Sequence, residues 1–212
     1  MNLNVTWAEA WIREGARVIA EHRAELNTLD RAIGDGDHGE NMDRGFQAVV
    51  LKLDALPAGS TPGDVLKLVA TTLISTVGGA SGPLFGTAFL KAAVAVGTVG
   101  DLDAAAVAAL IAAARDGIVL RGKAVVGDKT MIDAWTPAVD AAAAARNADA
   151  SVVTLLQQAA DAAAAGAVST EPLVAHKGRA SYLGERAIGH RDPGAESTTL
   201  LLRAAAETAA RA

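Results

Sequence analysis

Asp30-Arg-Ala-Ile-Gly-Asp-Gly-Asp-His-Gly-Glu-Asn-Met-Asp-Arg-Gly-Phe46 sets three acids, Asp30, Asp35 and Asp37, within eight residues, with Gly34 and Gly36 between them and Gly39 just after. Carboxylates this close repel one another, and a hard divalent cation such as magnesium or calcium relieves that repulsion with oxygen ligands. The glycines allow positive φ and remove side chains that would hold a ligand off the backbone. After Gly39 the pattern turns helical, with Met42, Phe46, Val49, Val50 and Leu53 spaced for one apolar face. A helix that starts here aims its free amides back at the acidic loop, where phosphate is favoured. Cation ligands beside an anion-binding helix start therefore read as a metal–phosphate site. The plainer reading, an acidic turn with an Asp N-cap, stays open on this stretch alone.

Two familiar loops do not fit. An EF-hand counted from Asp35 needs an oxygen ligand where Gly39 sits and a bidentate Glu where Phe46 sits. The nearest approach to a P-loop, Gly122-Lys-Ala-Val-Val-Gly-Asp-Lys-Thr130, carries one residue too many before the Lys, and no β-rich run precedes it.

Outward from the acidic stretch, the composition is that of a helical protein. Hydrophobic residues make up 51% of the 212, yet aromatics only 3%, and alanine supplies most of the balance. That mixture favours closely packed helices over sheet. One domain is expected, since no Pro/Ser-rich linker divides the chain. No apolar run reaches the ~18 residues of a membrane span, and the N-terminus lacks a basic region followed by an apolar core. The absence of cysteine excludes disulfides and thiolate metal sites and suits a cytoplasmic location. Asn4-Val5-Thr6 matches a glycosylation triplet that carries no weight in a cytosolic chain. With 19 Lys and Arg against 24 Asp and Glu, a formal charge of −5 and no basic run, nucleic acid is not an expected partner.

Periodicity predicts eight helices: about 6–26, 41–56, 63–76, Pro83 to about Gly97, Asp101 or Asp103 to Arg121, 131–145, 152–168 and 195–209. Three connections stand out besides the acidic one. Val77-Gly-Gly-Ala-Ser-Gly-Pro-Leu-Phe-Gly-Thr87 is a glycine-rich approach to a helix start with Pro83 in its first turn, suited equally to phosphate oxygens or to close interhelical packing. Residues 121–130 form a second glycine-containing loop. Residues 169–194 break the Ala-rich rhythm and collect Lys177, Arg179, Arg186, His190 and Arg191. About 25 residues of loop inside a compact domain favour a binding or lid role over a solvated connection. All four are odd-to-even connections, so an up-and-down arrangement gathers them at one end.

With these segments in hand, the chain resembles the ADP-binding L subunits of phosphoenolpyruvate-dependent dihydroxyacetone kinases. The resemblance rests on residues 34–39 with Asn41, on 77–86, on Gly127-Asp-Lys-Thr130, and on 177–186 with Asp192-Pro-Gly194. It implies an all-α barrel of eight antiparallel helices with a nucleotide site at one end. Asp30, Asp35 and Asp37 would then hold two Mg2+. Nucleotide contacts would fall on His38, Gly39, Asn41, Ala80, Ser81, Gly122, Met131, Arg179, Asp192, Pro193 and Gly194, with Glu40 giving at most a backbone contact. Arg179 is the candidate catalytic cation, since guanidinium makes bidentate bonds to phosphate. The resemblance further implies tightly bound ADP that is recharged to ATP by a phosphohistidine-carrying M subunit, and a K subunit that holds dihydroxyacetone. Alternatives are an L-type module of a ketose or lipid kinase with exchangeable ATP, and a nucleotide-sensing subunit that contacts a transcriptional regulator.

Overall fold

The computed structural model describes residues 2–212. Among these, nine α-helices and one 3-10 segment occur, and no strand beyond a single antiparallel bridge between Leu3 and Leu102. The helices are α1 (Val5–Glu21), α2 (Arg23–Ile33), α3 (His38–Leu53), α4 (Pro62–Thr76), α5 (Ser81–Val96), α6 (Ala104–Gly122), α7 (Ile132–Asn147), α8 (Val152–Ser169) and α9 (Pro193–Ala209). The 3-10 segment covers Arg179–Ala187.

The eight-helix expectation holds for the barrel and misses one break. Helices α1 and α3 to α9 pack in a closed ring, each against the next, with α9 returning to α1. The first predicted helix, 6–26, is interrupted at His22, and the chain restarts as α2, which lies outside the ring against α3, α9 and the 3-10 segment. Asp30 accordingly sits in the last turn of α2 rather than in a loop.

Few aromatics suffice because they meet at the centre. Trp7 and Trp11 of α1 stack at 5.3 Å, Trp11 meets Phe89 of α5 at 5.8 Å, and Phe89 meets Phe46 of α3 edge-on at 6.5 Å. Both indoles donate to α9, Trp7 Nε1 to the Ala205 carbonyl at 3.2 Å and Trp11 Nε1 to that of Leu201 at 2.9 Å. Such polar tips need a partner when buried, and α9 supplies it. Fourteen of the 17 residues of α9 are buried, the signature of a helix enclosed on nearly all sides. Its threonines return their hydroxyls to their own helix, Thr198 to the Gly194 carbonyl at 2.9 Å and Thr208 to that of Ala204 at 2.8 Å.

Elsewhere the alanine-rich helices approach backbone to backbone. At Gly166 of α8 an added Cβ would lie 2.2 Å from the Asp133 carbonyl oxygen and 3.0 Å from the Ala134 Cα of α7. Gly166→Ala gains about 1 kcal/mol of helix propensity, yet must push two backbones apart, which typically costs about 1–3 kcal/mol. The expected outcome is a net loss of stability, read as a lower denaturant midpoint in equilibrium unfolding. A raised midpoint would contradict the close approach.

Candidate functional site

The connections α2–α3, α4–α5, α6–α7 and α8–α9 line one cavity of about 470 Å³. Alternation of direction brings the starts of α3, α5, α7 and α9 to this end together. Each helix start carries partial positive charge and amides without helical partners, so four such starts around one cavity favour an anion.

The acidic loop is organised by Asp30. Its Oδ2 accepts the amides of Gly36, Asp37 and His38 at 2.8, 2.9 and 3.2 Å, which folds the loop back over the end of α2. Gly34 is needed there, because a Cβ would meet Asp30 Oδ1 at 2.2 Å, and Gly36 turns at φ +80°. One oxygen each from Asp30, Asp35 and Asp37 lies within 4.8 Å of the others. Burial raises the Asp30 pKa, against the lowering effect of the Asp37 and His38 amides, and repulsion from Asp35 adds to it. Three converging hard oxygens, one of them raised by burial and like charge, fit a divalent cation. Arg179 reaches across from the 3-10 segment and pairs with Asp35 at 2.9 Å, so this guanidinium lies on an acid at the cavity wall.

His38 opens α3 and is buried. Its Nε2 lies 3.0 Å from Ser197 Oγ and its Nδ1 lies 3.1 Å from Ser81 Oγ. Ser197 donates its only hydroxyl proton to the Gly194 carbonyl at 3.1 Å, so its oxygen accepts from His38 Nε2–H. Burial holds the ring pKa down to about 4, despite Asp37 nearby. The neutral ring then accepts from the Ser81 hydroxyl through Nδ1. Both nitrogens are engaged, and His38 is not poised as a general base.

Of the other expected residues, Asn41, Ala80, Ser81, Gly122, Met131, Arg179, Asp192, Pro193 and Gly194 line the cavity. Gly39 and Glu40 do not. Gly39 packs on α2, where a Cβ would meet the Arg23 carbonyl at 2.1 Å, and the Glu40 amide is taken by Asn27 Oδ1 at 3.1 Å. Ala80 precedes α5 without any side-chain cap, leaving the first amides of that helix to the cavity.

Two residues that shape this end of the barrel were not assigned from sequence. Lys129, in the stretch that mimics a P-loop, is 1% exposed and left-handed at φ +61°. Its Nζ donates to the carbonyls of Thr170, His190 and Glu171 at 2.6, 2.5 and 3.3 Å, so the ammonium is consumed at the end of α8. Asp133 accepts the amides of Gly127 and Thr130 at 2.6 and 2.8 Å and shapes the same loop. The only sequence signal was Gly-Asp-Lys-Thr itself, which does not say where the Lys points. The basic stretch is also anchored: Ala180 and Ala187 pack on Ile33, and Arg191 pairs with Glu171 and Glu196 at 2.9 and 2.8 Å.

Asp192 caps α9 by accepting the Ala195 amide at 2.8 Å. Burial pushes its pKa up to about 7, with Asp133 adding to the rise and the Ala195 amide and Lys129 opposing it. A carboxyl raised on folding takes up a proton, so the stability it contributes is present near pH 4 and is lost as pH rises through 7. Asp192→Asn keeps an N-cap oxygen and removes that titration. Between pH 5 and 8 the melting temperature of ligand-free wild type is expected to fall relative to that of Asp192→Asn; parallel curves would refute the assignment.

A family model described as the DAK2 domain matches residues 32–207. The ADP-binding subunit DhaL of the PEP-dependent dihydroxyacetone kinase of Escherichia coli (strain K12) is 44% identical over 203 residues, 96% of each chain. The ADP-binding subunit DhaL of PEP-dependent dihydroxyacetone kinase 1 of Listeria innocua is 44% identical over 209 residues, 98% of each chain. Among solved structures, the chain is similar to the dihydroxyacetone kinase of C. freundii in its native form, with TM-score 0.73, 27% identity, and coverage of 95% of this chain and 34% of that one. The C. freundii enzyme in complex with AMP-PNP and Mg2+ gives TM-score 0.72 and 26% identity, over 98% of this chain and 34% of that one. By its family match and by its likeness to DhaL subunits over nearly their whole length, the chain belongs to the DAK2 domain family.

Proposed function

We propose that the chain is the nucleotide-binding phosphoryl-transfer subunit of a dihydroxyacetone kinase. It holds ADP or ATP at the end of the barrel and passes the terminal phosphoryl group to dihydroxyacetone on a separate K subunit. An M subunit returns phosphate to the bound ADP. The observation that carries this reading is the convergence of the Asp30, Asp35 and Asp37 carboxylates, within 4.8 Å of one another, on a cavity ringed by four helix starts. The likeness to DhaL subunits and to a kinase solved with AMP-PNP and Mg2+ supports it. A cytoplasmic location follows from the same reading, and no helix among the described residues is long and apolar enough to cross a membrane.

Asp30, Asp35 and Asp37 are the residues that would hold two Mg2+, which when bound neutralise phosphate charge and assist departure of the leaving oxygen. The protein's own share is positioning and electrostatics, as expected where phosphoryl transfer needs little covalent help. Uncapped amides at the start of α5 offer donors to terminal oxygens. Arg179, held beside the acid cluster by its pair with Asp35, offers a guanidinium matched to phosphate geometry. The apolar Leu84, Ile118, Ala124, Met131 and Ile132 give the cavity a floor suited to a flat base. His38, with both nitrogens bound to serines, is not available to deprotonate a sugar hydroxyl. A base on the subunit that carries the acceptor supplies that step.

Native mass spectrometry of the purified protein should show ADP and magnesium retained together, and chelation should release both. Asp35→Ala and Asp37→Ala are expected to weaken nucleotide binding beyond the roughly 10–100-fold that loss of an outer-shell partner costs, with helical content unchanged. Full nucleotide occupancy in both variants would remove the metal assignment. Reconstitution with purified K and M subunits tests the acceptor: dihydroxyacetone phosphate should form from phosphoenolpyruvate in the presence of the phosphorelay proteins. Turnover that needs only exchangeable ATP would point instead to the stand-alone kinase module.

A further inference from the structure

Asn41, in the first turn of α3, is 7% exposed and lines the cavity. Its carboxamide has two ends of nearly equal shape, one donating and one accepting. A diphosphate presents acceptors only, so the Nδ2 end would bind it and the Oδ1 end would repel it. The choice is made from outside the cavity. Arg44, one turn further along α3 and absent from the cavity wall, donates through Nη2 to Asn41 Oδ1. Through Nε it donates to the carbonyl of Thr76, the last residue of α4, at 3.3 Å. Guanidinium has five N–H groups and no acceptor, so the amide end it meets is necessarily the oxygen. The same Oδ1 lies against the glycine turn, where a Cβ on Gly78 would approach it to 3.1 Å.

We propose that Arg44 is a positioning residue of the nucleotide site: by holding Asn41 Oδ1 and the Thr76 carbonyl together, it turns the Asn41 Nδ2 donor to the phosphates and fixes the start of α3 against the glycine turn. The inference rests on the nucleotide reading above. It adds a residue outside the cavity whose effect on binding runs through Asn41. A plain surface contact along α3 would stabilise the helix without that dependence.

The test is a double-mutant cycle on ADP affinity, measured by calorimetry in the presence of Mg2+ with the whole chain. Hydrogen bonds to charged groups contribute more than those between neutral groups. With partial exposure lowering that effect, Arg44→Ala is expected to weaken ADP binding about five- to tenfold. In an Asn41→Ala background the same substitution should cost less than about twofold, because the group it orients is gone. Arg44→Lys, a donor without an acceptor, should restore most of the affinity. Should Arg44→Ala melt below the assay temperature, Arg44→Met keeps the aliphatic stem and takes its place. Equal losses in both backgrounds, or no loss in either, would overturn the inference while leaving the nucleotide reading intact. Wild-type protein that binds no ADP would overturn the nucleotide reading, and this inference with it.

Discussion

An up-and-down barrel brings as many helix ends as helix starts to each of its faces, and on this fold that symmetry is the constraint the site has to escape. Four starts, of α3, α5, α7 and α9, favour an anion, while the ends of α2, α4, α6 and α8 at the same level would repel it. The repulsion is removed locally. The buried Lys129 ammonium takes the carbonyls of Thr170 and Glu171 just past α8, and Arg44 takes the Thr76 carbonyl at the end of α4. At α2 the opposite choice is made: its last turn carries Asp30, beside Asp35 and Asp37, and the negative end is left to attract a cation. The face is thus divided into an anion-favouring wall and a cation-favouring corner, the division a metal-bound phosphate needs.

The barrel that supports this division is assembled from small residues around a few large ones. Trp7, Trp11, Phe46 and Phe89 supply the bulk at the centre, and α9 threads past them with alanine, serine and threonine over most of its surface. Close backbone approach leaves little room for the ends of the helices to shift, because interiors packed at this density transmit small displacements. The loops at the cavity inherit that rigidity through short hydrogen-bonded links, such as the His176 amide to the Asp128 carbonyl at 3.0 Å and the Gly189 amide to that of Glu171 at 2.8 Å.

Much of this was legible in the sequence, for reasons that can be named. The three acids and their glycines are contiguous, so their convergence needed only a turn. The meeting of four distant loops followed from counting helices, because parity alone decides which connections share an end. What escaped was whatever depended on direction within a turn. The break at His22 has no Gly or Pro to announce it, so α1 and α2 read as one helix. The 3-10 segment buries only Ala180 and Ala187 and is kinked at Gly184, φ +57°, which leaves no helical period to detect. The enclosure of α9 was hidden by Ser197, Thr198, Thr199 and Thr208, whose hydroxyls are satisfied by their own helix or by His38. Lys129 could be seen but not aimed: left-handed backbone at that residue sends its ammonium to carbonyls instead of to a ligand.

The same geometry bears on why phosphoryl transfer and acceptor recognition would lie on different chains. A group that neutralises phosphate charge and a base that deprotonates a hydroxyl make opposite demands on one cavity, since the first wants fixed positive potential and the second a proton acceptor of ordinary basicity. Here burial has lowered the His38 imidazole to about 4 and tied both its nitrogens to serines, while Asp30, Asp35 and Asp37 converge on one another and Asp192 caps α9. These five groups are thereby committed to holding charge or shape. An acceptor hydroxyl brought to the mouth of the barrel by a second protein can carry its own base, and neither set of groups then has to compromise the other.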